Sequence, residues 1–278
     1  MRVDELFAFI KERHAVYTRR AAGLSKPWTN DPILLNYRFC NVYRELDTQT
    51  IWFAKNWRKP AATDPDLWFA SLVFRFINWS ETAVELGYPV PWDPYHFKTV
   101  LQSRMNVGKK VYSGAYMIST HGVKEEKATY LASSLSKIWT RRDLVRYRRG
   151  QSLENFHAVL SELFDVGSFI AGQVIADAKY AGAMKNAPDW WTFAASGPGS
   201  RRGLNRVLEN PVDRPWKEAA WRSTLAELQA EIDPRIEAAY MPLLHAQDLQ
   251  NCLCEFDKYE RVRLGEGRPK QKYNGGKE

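Results

Sequence analysis

Trp190-Trp191-Thr192-Phe193-Ala194-Ala195-Ser196-Gly197-Pro198-Gly199-Ser200-Arg201-Arg202-Gly203-Leu204 is an apolar run that meets a Gly-Pro-Gly corner and opens directly into a second run, apolar and basic. Glycine frees the backbone for a tight turn, and amides at a helix start bind anions. The stretch therefore reads as a hairpin between two helices whose tip lies against a phosphate backbone. Gly197, Gly199, Ser200, Arg201 and Arg202 are the residues expected to touch nucleic acid.

The flanking sequence is helical in period nearly throughout. Val42, Leu46, Thr50, Phe53 and Trp57 fall on one stripe, as do Leu67, Ala70, Phe74 and Ile77, then Phe156, Val159, Leu160 and Leu163, and later Leu225, Leu228 and Ile232. Lys109 to Ser119, with Val111, Tyr112, Tyr116 and Ile118 around Gly114, holds the best strand candidates. The fold class is mainly α. Proline-rich punctuation at 25–32, 59–65 and 87–94 marks loops too short to be interdomain linkers. Asp64 and Asp248 stand where N-caps are expected. The simplest organisation is one compact helical catalytic domain over 1–264, with two helical lobes as its variant, and a basic, flexible tail over 265–278.

The 278 residues carry a formal net charge of +8, which suits a polyanionic partner. Eleven Trp and thirteen Tyr could stack on flipped bases beside Arg and Lys, although each ring taken singly reads first as core packing. Basic residues cluster at Lys137, Arg141, Arg142, Arg146, Arg148 and Arg149, at Arg201, Arg202 and Arg206, and at Arg261, Arg263, Arg268, Lys270 and Lys272. Cys40, Cys252 and Cys254 have no metal-ligand spacing and suit a reducing cytoplasm. The amino terminus reads as no signal peptide, and no segment reaches the roughly 18 apolar residues of a membrane span. A membrane partner is not expected.

Asn106-Val107-Gly108-Lys109-Lys110 lacks the upstream glycine and the Ser or Thr of a P-loop, so ATP-dependent phosphorylation is argued against. The five histidines include no metal-binding pair at helical spacing, and no protein-ligated metal site is expected. Gln173 and Asp177 lie one turn apart on a nearly apolar helix, where Asp177 either braces a neighbouring loop or forms the floor of a substrate pocket. In Asp248 to Tyr259, Asp248, Asn251 and Glu255 share one face of a helix, whereas Asp257 lies roughly 160° from Glu255 at about 100° per residue. Either carboxylate, beside Lys258, could act as a base, or the group is a solvated helix end. Arg44, Glu45 and Asp47 sit on a helix patterned for the core, as active-site ligands or as a buried ion pair.

Several blocks, in order along nearly the whole chain, resemble a phage-type DNA base hypermodification family, the α-glutamyl/putrescinyl thymine pyrophosphorylases and amino acid:DNA transferases. They are Trp28-Thr29-Asn30-Asp31-Pro32-Ile33-Leu34, Tyr37-Arg38-Phe39-Cys40-Asn41-Val42-Tyr43-Arg44-Glu45-Leu46-Asp47, the Gly167 to Asp177 helix, the Gly-Pro-Gly hairpin, and Leu253-Cys254-Glu255-Phe256-Asp257-Lys258-Tyr259. The family's helical domain is similar to that of 5-hydroxymethyluracil DNA kinases, and in turn resembles helix-hairpin-helix DNA glycosylases, which flip a base into a cleft. The glycosylase pattern is incomplete here, because the nearest candidate for its essential Asp after the hairpin is Asp213, in a Pro-rich loop.

The resemblance implies a transferase that displaces the phosphate or pyrophosphate of an activated 5-hydroxymethyluracil in DNA with an amine, from an amino acid such as glycine or from a polyamine. Under that expectation Glu255 or Asp257 is the base and amine anchor, Lys258 and Arg44 bind the leaving group or a carboxylate, and Asp177, with Gln173 and Asp47, belongs to the pocket. No cofactor is called for, and magnesium is the one ion this chemistry leaves open. The alternatives are a glycosylase or lyase acting on a modified base, and a non-catalytic DNA-binding module.

Overall fold

Leu67-Trp68-Phe69-Ala70-Ser71-Leu72-Val73-Phe74-Arg75-Phe76-Ile77 is apolar on every side, and such a helix has no face to give to water. Every one of these residues is buried. The structure, a computed structural model, describes residues 1–114, 120, 122–269 and 271–273. In chain order its helices are α1 (Val3–Ala21), α2 (Pro32–Asn36), α3 (Thr48–Phe53), α4 (Leu67–Ile77), α5 (Ser80–Leu86), α6 (Pro94–Asn106), α7 (Lys127–Trp139), α8 (Arg142–Val145), α9 (Leu153–Ser161), α10 (Gly167–Ala178), α11 (Pro198–Val207), α12 (Glu218–Ala238) and α13 (Ala246–Arg263). Among the described residues β structure is limited to one bridge, Tyr37 with Lys272. The mainly α class holds. Residues 109–114 form no strand, and the rest of that strand candidate, 115–119, lies outside the described residues.

The chain divides into two compact units, Met1–Asp47 with Trp191–Glu278, and Thr48–Trp190. In the second, α4 is the central helix and packs on α10. Trp52, Phe53 and Trp57 surround Phe74, with ring centroids 5.2 to 5.7 Å away. These rings fill a core. Arg75 is the single charge of α4 and is 3% exposed, so it requires a partner. Asp177 of α10, fully buried, supplies it: Arg75 Nε donates to Oδ2 at 2.5 Å, and its Nη2 binds Oδ1. Ser71 Oγ adds a bond to the same carboxylate at 3.2 Å, and Arg58 donates to the Asp177 carbonyl at 3.0 Å. Asp177 is therefore a structural ion-pair partner rather than the floor of a pocket.

In the first unit, Leu6 and Ile10 of α1, Leu204 and Val207 of α11, Trp221, Leu225, Leu228 and Ile232 of α12, and Leu249, Leu253 and Phe256 of α13 form one core. The tightest packing is α11 against α13. A Cβ on Gly203 would overlap the Leu253 carbonyl, and one on Gly199 would overlap the Cys254 sulfur. The glycines of the quoted stretch thus serve helix contact. Residues 187–197 ahead of α11 are irregular, so no helix enters the Gly-Pro-Gly corner and the expected helix-hairpin-helix is not formed there. Gly197 is buried, and Ser200, fully buried, closes the helix start by accepting from Gly197 N at 2.9 Å.

Two outcomes test this packing. Gly203→Ala costs at least about 1 to 3 kcal/mol through overpacking against a backbone carbonyl, whereas Gly114→Ala, at a position with open space, leaves the thermal midpoint unchanged. Asp177→Ala leaves Arg75 buried without its carboxylate and costs about 3 to 5 kcal/mol. Calorimetric unfolding reads both; a variant at 177 that melts like the parent would contradict the structural role.

Candidate functional site

Residues 31–47 run antiparallel along α13, and side chains spaced along the helix hold them there. Asp31 caps α2 through Oδ1, bonded to the Ile33 and Leu34 amides at 2.7 and 2.9 Å, and its Oδ2 accepts from Tyr259 Oη at 2.6 Å. Further along, Glu255 accepts from Cys40 N at 2.9 Å, Asn251 Nδ2 donates to the Asn41 carbonyl at 3.0 Å, and Asp248 accepts from Arg44 N at 2.9 Å. Asp248, Asn251 and Glu255 are the polar face expected from the sequence. Their partner is an extended backbone, which offers donors and acceptors that no neighbouring helix could supply.

The same contacts correct the Arg44 to Asp47 reading. Arg44–Leu46 is a single 3-10 turn and the residues before it are irregular, so the stripe from Val42 to Trp57 is not one helix. Asp47 Oδ1 accepts from Asn41 N at 2.9 Å while Asn41 Nδ2 donates to the Leu46 carbonyl at 2.7 Å. Such local side-chain bonds compete with helix formation. Asp248 is likewise inside α13 rather than its cap; His245 caps, its Nδ1 accepting from Asp248 N at 3.3 Å. Asp64, also expected as a cap, accepts from Asp66 N in the turn before α4.

Around Cys40 the segment gathers charge. Lys258 Nζ lies 2.5 Å from Glu255 Oε2 and 4.6 Å from the centroid of the Phe39 ring. Arg13 of α1 donates to the Phe39 carbonyl at 3.0 Å and to Asn41 Oδ1 at 2.7 Å. Burial raises the Asp47 carboxyl above its ordinary range, helped by the Glu255 charge and opposed by the Asn41 amide, Arg44 and Arg13. Glu255 and then burial hold the Cys40 thiol well above its ordinary value. A protonated thiol is a poor nucleophile. Glu255, Lys258, Asp47 and Arg44 are thus brought together as expected from sequence. Arg13 and Asn41 complete the group; Arg13 is four residues from Phe9 and three from Ile10 of the core face, and nothing in the local pattern sets it apart from its charged neighbours.

Asp257 faces the other way. It is 3% exposed and meets Arg206 Nε at 2.7 Å, Arg202 Nε at 3.3 Å and Arg261 Nε at 3.3 Å. It knits α13 to α11 and is not beside Glu255. Arg201 binds Glu218 at 3.0 Å and Ser196 Oγ at 2.7 Å, and Arg202 also binds Asp213 at 2.7 Å. The expected phosphate ligands already carry carboxylates. Gln173 and Asp177 belong to the other unit, on α10. That unit has its own cavity of about 710 Å³, walled by Tyr130, Ser134, Lys137, Phe164 and Asp165 among others, and none of the residues assigned chemistry from sequence lines it. Among the described residues no group of three or more His, Cys, Asp or Glu side chains could hold a metal ion, and no helix is long and apolar enough to cross a membrane.

The charge arrangement at Cys40 has a measurable sign. Removing the Glu255 charge lowers the thiol pKa, so Glu255→Gln speeds alkylation of Cys40 near neutral pH several-fold, while the parent reacts more slowly than a free cysteine in a peptide. Peptide mass mapping after brief iodoacetamide exposure reads the rate at each cysteine, and equal rates in parent and variant would refute the contact.

The family described as 5-hmdU DNA kinase, helical domain, matches residues 1–268. A 5-hmdU DNA kinase of Bacillus phage SP10 is 26% identical over 232 residues, covering 74% of this chain and 36% of that protein. The chain therefore spans about a third of the length of that relative. No solved structure matches.

Proposed function

The chain belongs to the family of 5-hmdU DNA kinase helical domains, and from that premise we propose that it modifies 5-hydroxymethyluracil in DNA by transferring an amine onto an activated base. The single observation that carries the reading is the Glu255–Lys258 pair of α13, 2.5 Å apart and largely buried, beside the 31–47 segment with Asp47 and Arg44 and near Arg13 of α1. An amine displacing a phosphate or pyrophosphate at the 5-methylene carbon needs three things. A base must take a proton from the attacking ammonium, cations must receive the departing phosphate oxygens, and water must be kept away.

Glu255 is the base in this scheme. The amine nitrogen forms the new C–N bond as the C–O bond to phosphate breaks, the proton passes to the Glu255 carboxylate, and the phosphate or pyrophosphate leaves as the anion toward Lys258 and Arg13. With no P-loop in the sequence, activation of the hydroxymethyl group falls to a separate ATP-using protein or domain. The co-substrate is an amino acid such as glycine, or a polyamine. A second reading has its own support, because the phage relative is almost three times as long as the stretch that matches: the helical domain holds DNA while the chemistry proceeds elsewhere.

DNA bearing phosphorylated or pyrophosphorylated 5-hydroxymethyluracil, incubated with the protein and glycine and then digested to nucleosides, gains the mass of the amine on thymine-derived nucleosides. Glu255→Gln reduces that gain by about 10²-fold or more, the scale of a lost general base, while DNA binding persists. An unchanged nucleoside profile with the parent protein across glycine and polyamine donors would remove the transferase reading, and a released base or a nicked strand would replace it with a glycosylase.

A further inference from the structure

The second unit holds a cavity of about 710 Å³ that the proposed chemistry does not use. Its volume lies inside the range of about 300 to 1,000 Å³ in which small-molecule sites fall. Ser134 of α7 lines it. The residue is 1% exposed, and its hydroxyl has no hydrogen-bond partner among the described residues. A buried polar atom costs free energy until a partner reaches it, so Ser134 marks where a ligand would place a hydrogen-bonding edge.

The turn between α9 and α10 supplies another part of the lining. Asp165 and Gly167, with φ of 65° and 55°, are both left-handed, and Tyr130 Oη of α7 donates to Asp165 Oδ1 at 3.0 Å. Asp tolerates that conformation, and Gly has no Cβ to oppose it. The turn leaves the Phe164 ring half-exposed at the cavity, with Lys137 Nζ 5.0 Å from its centroid. It also starts α10 at Gly167 with no side-chain cap on the first amides, and a Cβ on Gly167 would meet nothing within 4 Å. Helix-start amides beside an ammonium favour an anion. The carboxylates of Glu125 and Asp165, which also line the cavity, oppose a second one.

We propose that the cavity is a nucleotide site: the base lies on Phe164 with an edge on the Ser134 hydroxyl, and a single phosphate meets Lys137 and the amides at the start of α10. The choice follows from the lining. An aliphatic chain would leave the hydroxyl unpaired, and inorganic phosphate would leave Phe164, Val123 and Val166 uncovered. A triphosphate would bring further negative charge against Glu125 and Asp165. A base stacks on an aromatic ring, carries donors and acceptors at its edge, and in a nucleotide brings one anion with it. The nucleotide comes either free or as one residue of a DNA strand, and the chemistry of the site is the same for both. The inference goes beyond amine transfer at Glu255 and does not depend on it.

The test is isothermal titration calorimetry of the full chain with dTMP, thymidine, dTTP and oligothymidylate. The parent binds dTMP more tightly than thymidine, and dTTP no more tightly than dTMP. Phe164→Ala weakens dTMP binding about 5-fold or more, the lower end for a lost base stack. Lys137→Gln weakens it roughly 10-fold and brings thymidine and dTMP level. Ser134→Ala weakens it about 5-fold without lowering the thermal midpoint, because it deletes an unpaired hydroxyl. Lys55→Gln, an exposed cation of the same unit that does not line the cavity, binds as the parent does. Binding of dTMP identifies a free nucleotide as sufficient; binding of the oligonucleotide alone, weakened by the same three variants, places the nucleotide in a strand. Equal affinities in the parent and the three variants, equal binding of thymidine and dTMP, tighter binding of dTTP, or no binding of either dTMP or the oligonucleotide overturns the site. The mass assay of modified nucleosides judges amine transfer separately.

Discussion

The first unit depends on one close approach, Gly203 of α11 beneath the Leu253 carbonyl of α13. Only a residue without a Cβ permits it, and once the two backbones meet there the rotation of α13 about its axis is set. At about 100° per residue, Leu253 and Asp257 then face α11, and Asp248, Asn251 and Glu255 face the opposite side. Each side consequently has its own polar partners: arginines of α11 for Asp257, and the backbone of 31–47 for the other three. A change in that rotation would bury Glu255 against guanidinium groups and leave the Cys40 amide unpaired. The packing of two glycines against one helix thus decides which carboxylate meets the α11 arginines and which meets the 31–47 segment.

Much of this was legible in the sequence. The helical arithmetic of Asp248 to Tyr259 separated Glu255 from Asp257 before any coordinates, because a regular helix leaves no freedom in that angle. The stripe Leu67, Ala70, Phe74 and Ile77 gave the helix α4, although the burial of its whole surface and the need of Arg75 for a partner went unread. What failed was what depends on competition or distance. The Val42 to Trp57 stripe has a helical period, yet the Asn41 and Asp47 side chains satisfy the local backbone and end the helix before it starts. The Gly-Pro-Gly corner has the composition of an exposed turn, and only the position of Leu253 and Cys254, some fifty residues on, shows that the glycines serve contact. Arg201 looked free because Glu218, which binds it, follows a Pro-rich loop whose path local pattern does not give.

Charge shows the same limit. A net +8 points to a polyanion but does not say where the polyanion lies. Around α11 the arginines are matched by Glu218, Asp213, Asp257 and Glu266, and their role there is to tie helices together. Buried arginine-carboxylate pairs of this kind fix geometry more than they add stability.

For the proposed transfer, burial at Glu255 bears on the choice between an amine and water as attacking group. Glu255 is 7% exposed, with one oxygen bonded to the Cys40 amide and the ammonium of Lys258 against it, so few positions remain for solvent. A base reached freely by water would activate water, and an activated hydroxymethyl group would return to the alcohol. Both contacts fall on Oε2, so the other carboxylate oxygen is the one that faces an incoming group in the proposed transfer. In the proposed transfer the Lys258 ammonium keeps Oε2 paired while the other oxygen takes the proton.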